Sequence, residues 1–125
     1  MKTLSLSIFL LIISLSSFSQ KKKEEEIFTA VEQQAEFPGG LGAFGKYLQK
    51  NFKVSKEGCQ SKIYVQFVVE KDGSPNHVQF LTKDTYQDTK DQLTKIILKV
   101  KWKPGYQSGK PVRSRFTIPM NFHCE

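Results

Sequence analysis

KIYVQFVVEKDGSPNHVQFLT, residues 62–82, is the stretch whose reading decides the fold. Ile63, Val65, Phe67 and Val69 alternate with Tyr64, Gln66, Val68 and Glu70, the period of two that sends successive side chains to opposite faces of a strand. Asp72-Gly73-Ser74-Pro75-Asn76 then interrupts the run with turn formers. Gly73 tolerates positive φ, and Pro75 presets φ and removes a donor. Val78 and Phe80 resume the alternation, so the segment predicts an antiparallel hairpin closed by a loop over residues 72–76. A lone hairpin is marginal in water and needs a third strand or a helix over its apolar face.

Both are encoded downstream. Leu93, Ile96, Ile97 and Val100 form an i, i+3, i+4, i+7 stripe while Lys90, Asp91, Lys95 and Lys99 face away. This predicts an amphipathic core helix over about 86–101, with Asp84 or Thr85 as its N-cap. Trp102 follows the last turn, and Pro104-Gly105 stops the helix. Ser108-Gly109-Lys110-Pro111 is a turn. Beyond it, Val112, Ser114, Phe116, Ile118, Met120 and Phe122 alternate with Arg113, Arg115, Thr117, Pro119 and Asn121, a third strand with one buried face. Pro119 cannot donate to a ladder, which places this strand at a sheet edge or puts a bulge in it.

Upstream, Glu36-Phe37-Pro38-Gly39-Gly40 is a strong break. Leu41, Phe44, Leu48 and Phe52 then mark one face of a helix over about 41–52. Gly42 and Gly45 weaken it by about 1 kcal/mol each against Ala and suit close packing instead. The expected fold is α+β: a three-stranded antiparallel sheet, one helix packed on its face and an additional N-terminal helix, spanning residues 37–125.

Residues 20–36, which include KKKEEE, have little to bury and read as a polar tether, ordered late if at all. Residues 1–19 read as a signal peptide: Lys2, a short apolar run from Leu4 to Leu15 diluted by serines, and small residues at Ser17 and Ser19 before Gln20. The competing reading keeps residues 4–20 in the inner membrane as an anchor. That stretch is short of the roughly 20 apolar residues a span needs, and Lys21-Lys22-Lys23 would lie on the wrong side.

The chain of 125 residues is long enough for one domain. Its net charge of +7 is scattered, with no Arg-rich stripe interleaved with aromatics, which argues against a nucleic-acid partner. His77 and His123 fall at strand ends, and there is no GxSxG, no HExxH and no phosphate-cradling glycine loop. Neither Cys59 nor Cys124 has a partner spaced for zinc. No enzyme, catalytic residue, metal, cofactor or small-molecule substrate is expected.

Taken in order, Glu36-Phe37-Pro38-Gly39-Gly40, the hairpin with Asp72-Gly73, Trp102-Lys103-Pro104-Gly105, Gly109-Lys110-Pro111-Val112-Arg113 and Arg115-Phe116-Thr117-Ile118-Pro119-Met120-Asn121-Phe122 form a specific pattern. The pattern resembles the C-terminal domain of TonB, in the form common in Bacteroidetes energy transducers, over about residues 36–122. Val54-Ser55 stand where that family has Tyr-Pro, and Ser61 where it usually has Gly. The resemblance implies a periplasmic binding module that captures the TonB box of an outer-membrane receptor by adding a strand to its sheet. It also implies that Val112–Phe122 is the partner-binding edge. An anchored energy transducer, or an envelope structural domain with no receptor partner, are the alternatives.

The chain path also bears on the cysteines. If the hairpin strands run up and down and the second helix returns up the sheet face, the third strand runs down and pairs antiparallel only with the first. The strand order is then second, first, third. Cys59, just before the first strand, and Cys124, just after the third, would meet at one end of the sheet and could form a disulfide. The alternative is two unpaired thiols.

Overall fold

The computed structural model describes residues 26–124, so the signal-peptide reading of residues 1–19 and the start of the tether lie outside the described residues. Along the chain come α1 (Gly40–Asn51), β1 (Lys62–Val69), β2 (Pro75–Phe80), α2 (Gln87–Leu98), β3 (Gly105–Gln107), β4 (Lys110–Val112) and β5 (Ser114–Asn121). The main sheet is antiparallel with order β2-β1-β5, and β3-β4 form a second, small sheet. The α+β class and the strand order are therefore as expected.

The hairpin is built on its alternation. Ile63, Val65, Phe67 and Val69 are buried at 1% exposure or less, while Tyr64 on the other face is exposed. The inner face rests on α2 through Leu93, Ile96 and Ile97, and takes Ile118 and Met120 from β5. The β1–β2 register slips between Gln66 and Val68, where His77 adopts φ +53. That is a bulge with its extra residue in the left-handed region.

The turn uses Gly73 at φ +90, with Gly73 N–H donating to Glu70 O and Trp102 N–H donating to Gly73 O. Asp72 Oδ1 accepts from Ser74 N–H at 2.9 Å, and that bond holds the Asp72 carboxyl below its ordinary value of 3.8. A Cβ on Gly73 would collide with the Trp102 carbonyl oxygen, a main-chain atom that cannot swing away. Left-handed strain of about 1–2 kcal/mol and overpacking of about 1–3 kcal/mol then add. Gly73→Ala is expected to lower stability by about 3 kcal/mol in urea unfolding. A change below 1 kcal/mol would mean that the loop relaxes freely.

Several boundaries differ from expectation. α2 starts at Gln87, and neither Asp84 nor Thr85 caps it. Asp84 sits at φ +59, Thr85 Oγ1 donates to Thr82 O at 2.8 Å, and the Tyr86 amide is taken by Gln60 Oε1 at 3.0 Å. The helix ends at Leu98 because Val100 and Trp102 turn back under the sheet; the Trp102 indole N–H donates to Ile97 O at 3.1 Å. The predicted third strand is two strands. Val112 belongs to β4, opposite Gly105, and the chain breaks at Arg113 before β5. Ser108 and Gly109, at φ +52 and +75, close the β3–β4 hairpin as both residues of a type I′ turn require.

In α1 the expected apolar face meets the core except at its first residue: Phe44 is buried and Leu48 and Phe52 are half-buried against the core, but Leu41 is 68% exposed. Among the described residues Gly42 and Gly45 seat no neighbour, since a Cβ on either would meet nothing within 4 Å. Residues 26–36, the described part of the stretch expected to be a loose tether, are tied down. Phe28, Gln33 and Glu36 make bridges to Ser114, Tyr106 and Lys103, and Ala35 is 2% exposed.

Candidate functional site

A sheet of three strands has two edges, and they are unequal. β2 begins at Pro75 and carries the His77 bulge, so its outer ladder is broken. β5 pairs with β1 along its whole length, from Ser114↔Val69 to Asn121↔Lys62, without a register shift. It presents the longer regular edge.

Which groups face outward follows from the ladder. Phe122 N–H donates to Ser61 O at 2.8 Å, so the even-numbered residues of β5 point their main-chain groups at β1. Residues 113, 115, 117, 119 and 121 point theirs the other way. Two hydrogen bonds at the upper end agree: Phe28 N–H donates to Arg113 O at 2.8 Å, and Arg115 N–H donates to Phe28 O at 2.9 Å. Phe28 thus occupies the top of the edge as one residue of a parallel strand. Below it, Thr117 and Asn121 have outward amides with no partner among the described residues, and Pro119 offers a carbonyl without a donor. The open edge runs from Thr117 to Asn121.

The side chains divide by face. Ser114, Ile118 and Met120 are buried and Phe116 and Phe122 half-buried on the inner face, while Arg115, Thr117, Pro119 and Asn121 are exposed on the other. Of the residues expected at the edge, Val112 is in β4 and Arg113 is at the break. Arg113 does not offer open charge, because its Nε donates to both oxygens of Glu70 at 2.8 Å, half-buried. That pair fixes the start of β5 against the end of β1. Arg115 is the exposed cation of the strand.

At the lower end Cys59 and Cys124 are joined by a disulfide, Cα–Cα 5.7 Å. Cys124 directly follows His123, three residues beyond Asn121, which pairs with Lys62. The open edge is therefore bounded above by Phe28 and below by a covalent link. The inner side of the edge is flanked by α1. Phe52 stacks on Phe122 with centroids 4.8 Å apart, and Phe37 and Phe44 meet Trp102, which touches Phe116.

Two contributors escaped the sequence reading. The β3–β4 hairpin is too short for a period to register; only Ser108-Gly109 marked it. Phe28 is part of a two-residue apolar pair, Ile27-Phe28, in a polar segment, and that pair was its one signal. Among the described residues no cluster of three or more His, Cys, Asp or Glu is placed to hold a metal, and no helix is long and apolar enough to cross a membrane.

The sequence model of the family described as Gram-negative bacterial TonB protein C-terminal matches residues 53–124. No curated protein matches the chain.

Proposed function

Because the chain belongs to the TonB C-terminal family, whose model spans β1 through the disulfide, we propose that it captures TonB-box segments of outer-membrane receptors as an added strand on β5. The family is a non-catalytic, envelope-associated interaction family of TonB-dependent transport, and it engages outer-membrane receptors in general. The reading for this chain is narrower: a periplasmic binding module that is not an enzyme. Export through residues 1–19 belongs to the proposal, and the Cys59–Cys124 disulfide supports it, since such bonds persist in oxidising compartments.

The observation that carries the reading is the open run of main-chain groups from Thr117 to Asn121, on the one unbroken edge of the sheet. An extended peptide satisfies such groups with its own main chain, which gives affinity with little demand on sequence. Arg115 supplies the charge that discourages unwanted pairing of this edge.

Thr117→Pro tests it. The Thr117 amide donates nothing to β1, so its loss leaves the β1–β5 ladder intact and removes one of the two outward donors. The variant is expected to keep its circular dichroism spectrum and to bind receptor TonB-box peptides at least tenfold more weakly. Undiminished binding by a folded Thr117→Pro protein would remove β5 as the docking strand.

A further inference from the structure

One residue of an added strand lies on the β5 edge, and it belongs to this chain. Phe28 takes the two main-chain groups that a partner strand would use there. Its N–H donates to Arg113 O at 2.8 Å, and its carbonyl accepts from Arg115 N–H at 2.9 Å. The pairing is parallel. Continued in that register, Ala30 would take the Thr117 amide next. The chain instead bends away at Thr29 and Ala30 and goes on to pair Gln33 with Tyr106 and Glu36 with Lys103.

The two ends of this segment are held unequally. Gln33 exchanges two main-chain hydrogen bonds with Tyr106, Glu36 exchanges two with Lys103, and Ala35 between them is buried. Ile27 and Phe28 are only half-buried, and neither belongs to the core cluster. Ile27 lines a cavity of about 100 Å³ with Val68, His77 and Arg115, so its seat on the outer face of the sheet is incompletely filled. Between the two ends, Thr29, Ala30 and Val31 make no hydrogen bond among the described residues. A firm anchor at 33–36 is thus joined by a slack turn to a weak hold at 27–28.

We infer that Ile27 and Phe28 form a clasp on the docking edge, an internal competitor displaced when β5 captures a partner strand long enough to span Arg115–Asn121. This regulation rests on strand addition at β5 as the mode of capture. With the clasp closed, a partner finds only the outward amides of Thr117 and Asn121. With it open, the Arg115 amide and the Arg113 carbonyl join them, and the partner replaces the hydrogen bonds of Phe28 one for one. A closed clasp also shortens the bare edge and so limits unwanted pairing. Its cost is affinity, because a site that is open for only a fraction of the time binds more weakly by that fraction.

Amide exchange and a release variant test the clasp on the purified, oxidised protein, with a receptor TonB-box peptide of about nine residues as the probe. In the saturated wild-type complex the Phe28 amide is expected to exchange freely, while the Arg115, Gln33 and Glu36 amides stay protected. Ile27→Ser combined with Phe28→Pro removes the outer seat and the Phe28 donor. The core and the 33–36 anchor are untouched, so the melting temperature should hold. The variant should bind the peptide about tenfold more tightly, the factor for a clasp closed nine-tenths of the time. A Phe28 amide still protected in the complex, or a release variant with wild-type or weaker affinity, would overturn the clasp; if Thr117→Pro had lost binding, strand addition would stand. Undiminished binding by Thr117→Pro, or no binding by either the wild type or the release variant, would overturn the two together.

Discussion

Trp102→Ala is expected to cost about 4 kcal/mol, within the roughly 3–5 kcal/mol seen when a large buried aromatic is cut to a methyl group. The side chain is 2% exposed. Its ring meets Phe67 of β1 at 4.8 Å, Phe37 and Phe44 at 5.5 Å each, and Phe116 of β5 at 6.1 Å. The indole N–H satisfies Ile97 O at the end of α2, and the Trp102 amide closes on Gly73 O in the hairpin loop. One side chain thus joins both helices, the sheet and the segment before α1. Total stability for a small domain is about 5–15 kcal/mol, so the loss is a large share of it. Trp102 is the single tryptophan, and unfolding is best followed by far-ultraviolet circular dichroism in urea. A loss under 1 kcal/mol would show that the surrounding phenylalanines close the gap unaided. Trp102→Phe separates the two roles: it retains most of the ring packing and removes the indole bond to Ile97 O, which keeps the Val100 N–H at 3.4 Å, for about 1 kcal/mol.

Removing the disulfide is the second large effect. Cys59 and Cys124 are 65 residues apart in sequence. In the chain-entropy model a loop of that length stabilises by about 4 kcal/mol, chiefly by restricting the unfolded chain. The Cα–Cα distance of 5.7 Å lies in the preferred range for a bridge. Cys59→Ser with Cys124→Ser, or reduction of the native protein, is expected to lower the urea midpoint by the corresponding amount. Amide exchange should accelerate first near Phe122 and Ser61, the pair nearest the link. Equal midpoints for oxidised and reduced protein would count against any stabilising role.

The hairpin, both helices and the strand order were legible because each rests on a period or on chain path. Ile63 to Val69 alternate, Leu93 to Ile97 recur at helical spacing, and an up-down-up-down route leaves β5 one place to pair. The meeting of Cys59 with Cys124 followed from that route. What escaped lacks a period. β3 and β4 have three residues each, and the segment that includes Phe28 and Ala35 is held by isolated bridges that no local pattern announces. The face of α1 was misjudged at Leu41 because a stripe specifies which residues share a side, not how far along that side the core reaches. The site was half legible. Pro119 and the topology put β5 at the edge, but Phe28 on its upper end and the parity that turns Thr117 and Asn121 outward come from the pairing itself.

The placement of the disulfide decides how the sheet answers a mechanical load. A strand bonded along β5 and drawn along its own axis loads the β5–β1 ladder in shear, so its bonds must yield together rather than in turn. Peeling β5 from its last residue is blocked by the Cys124–Cys59 link. Peeling it from its first residue must break the Arg113–Glu70 pair and release Phe28. Tension taken up at this edge therefore passes through covalent sulfur to the root of β1, the central strand, and an added strand will slip from β5 before β5 leaves the sheet.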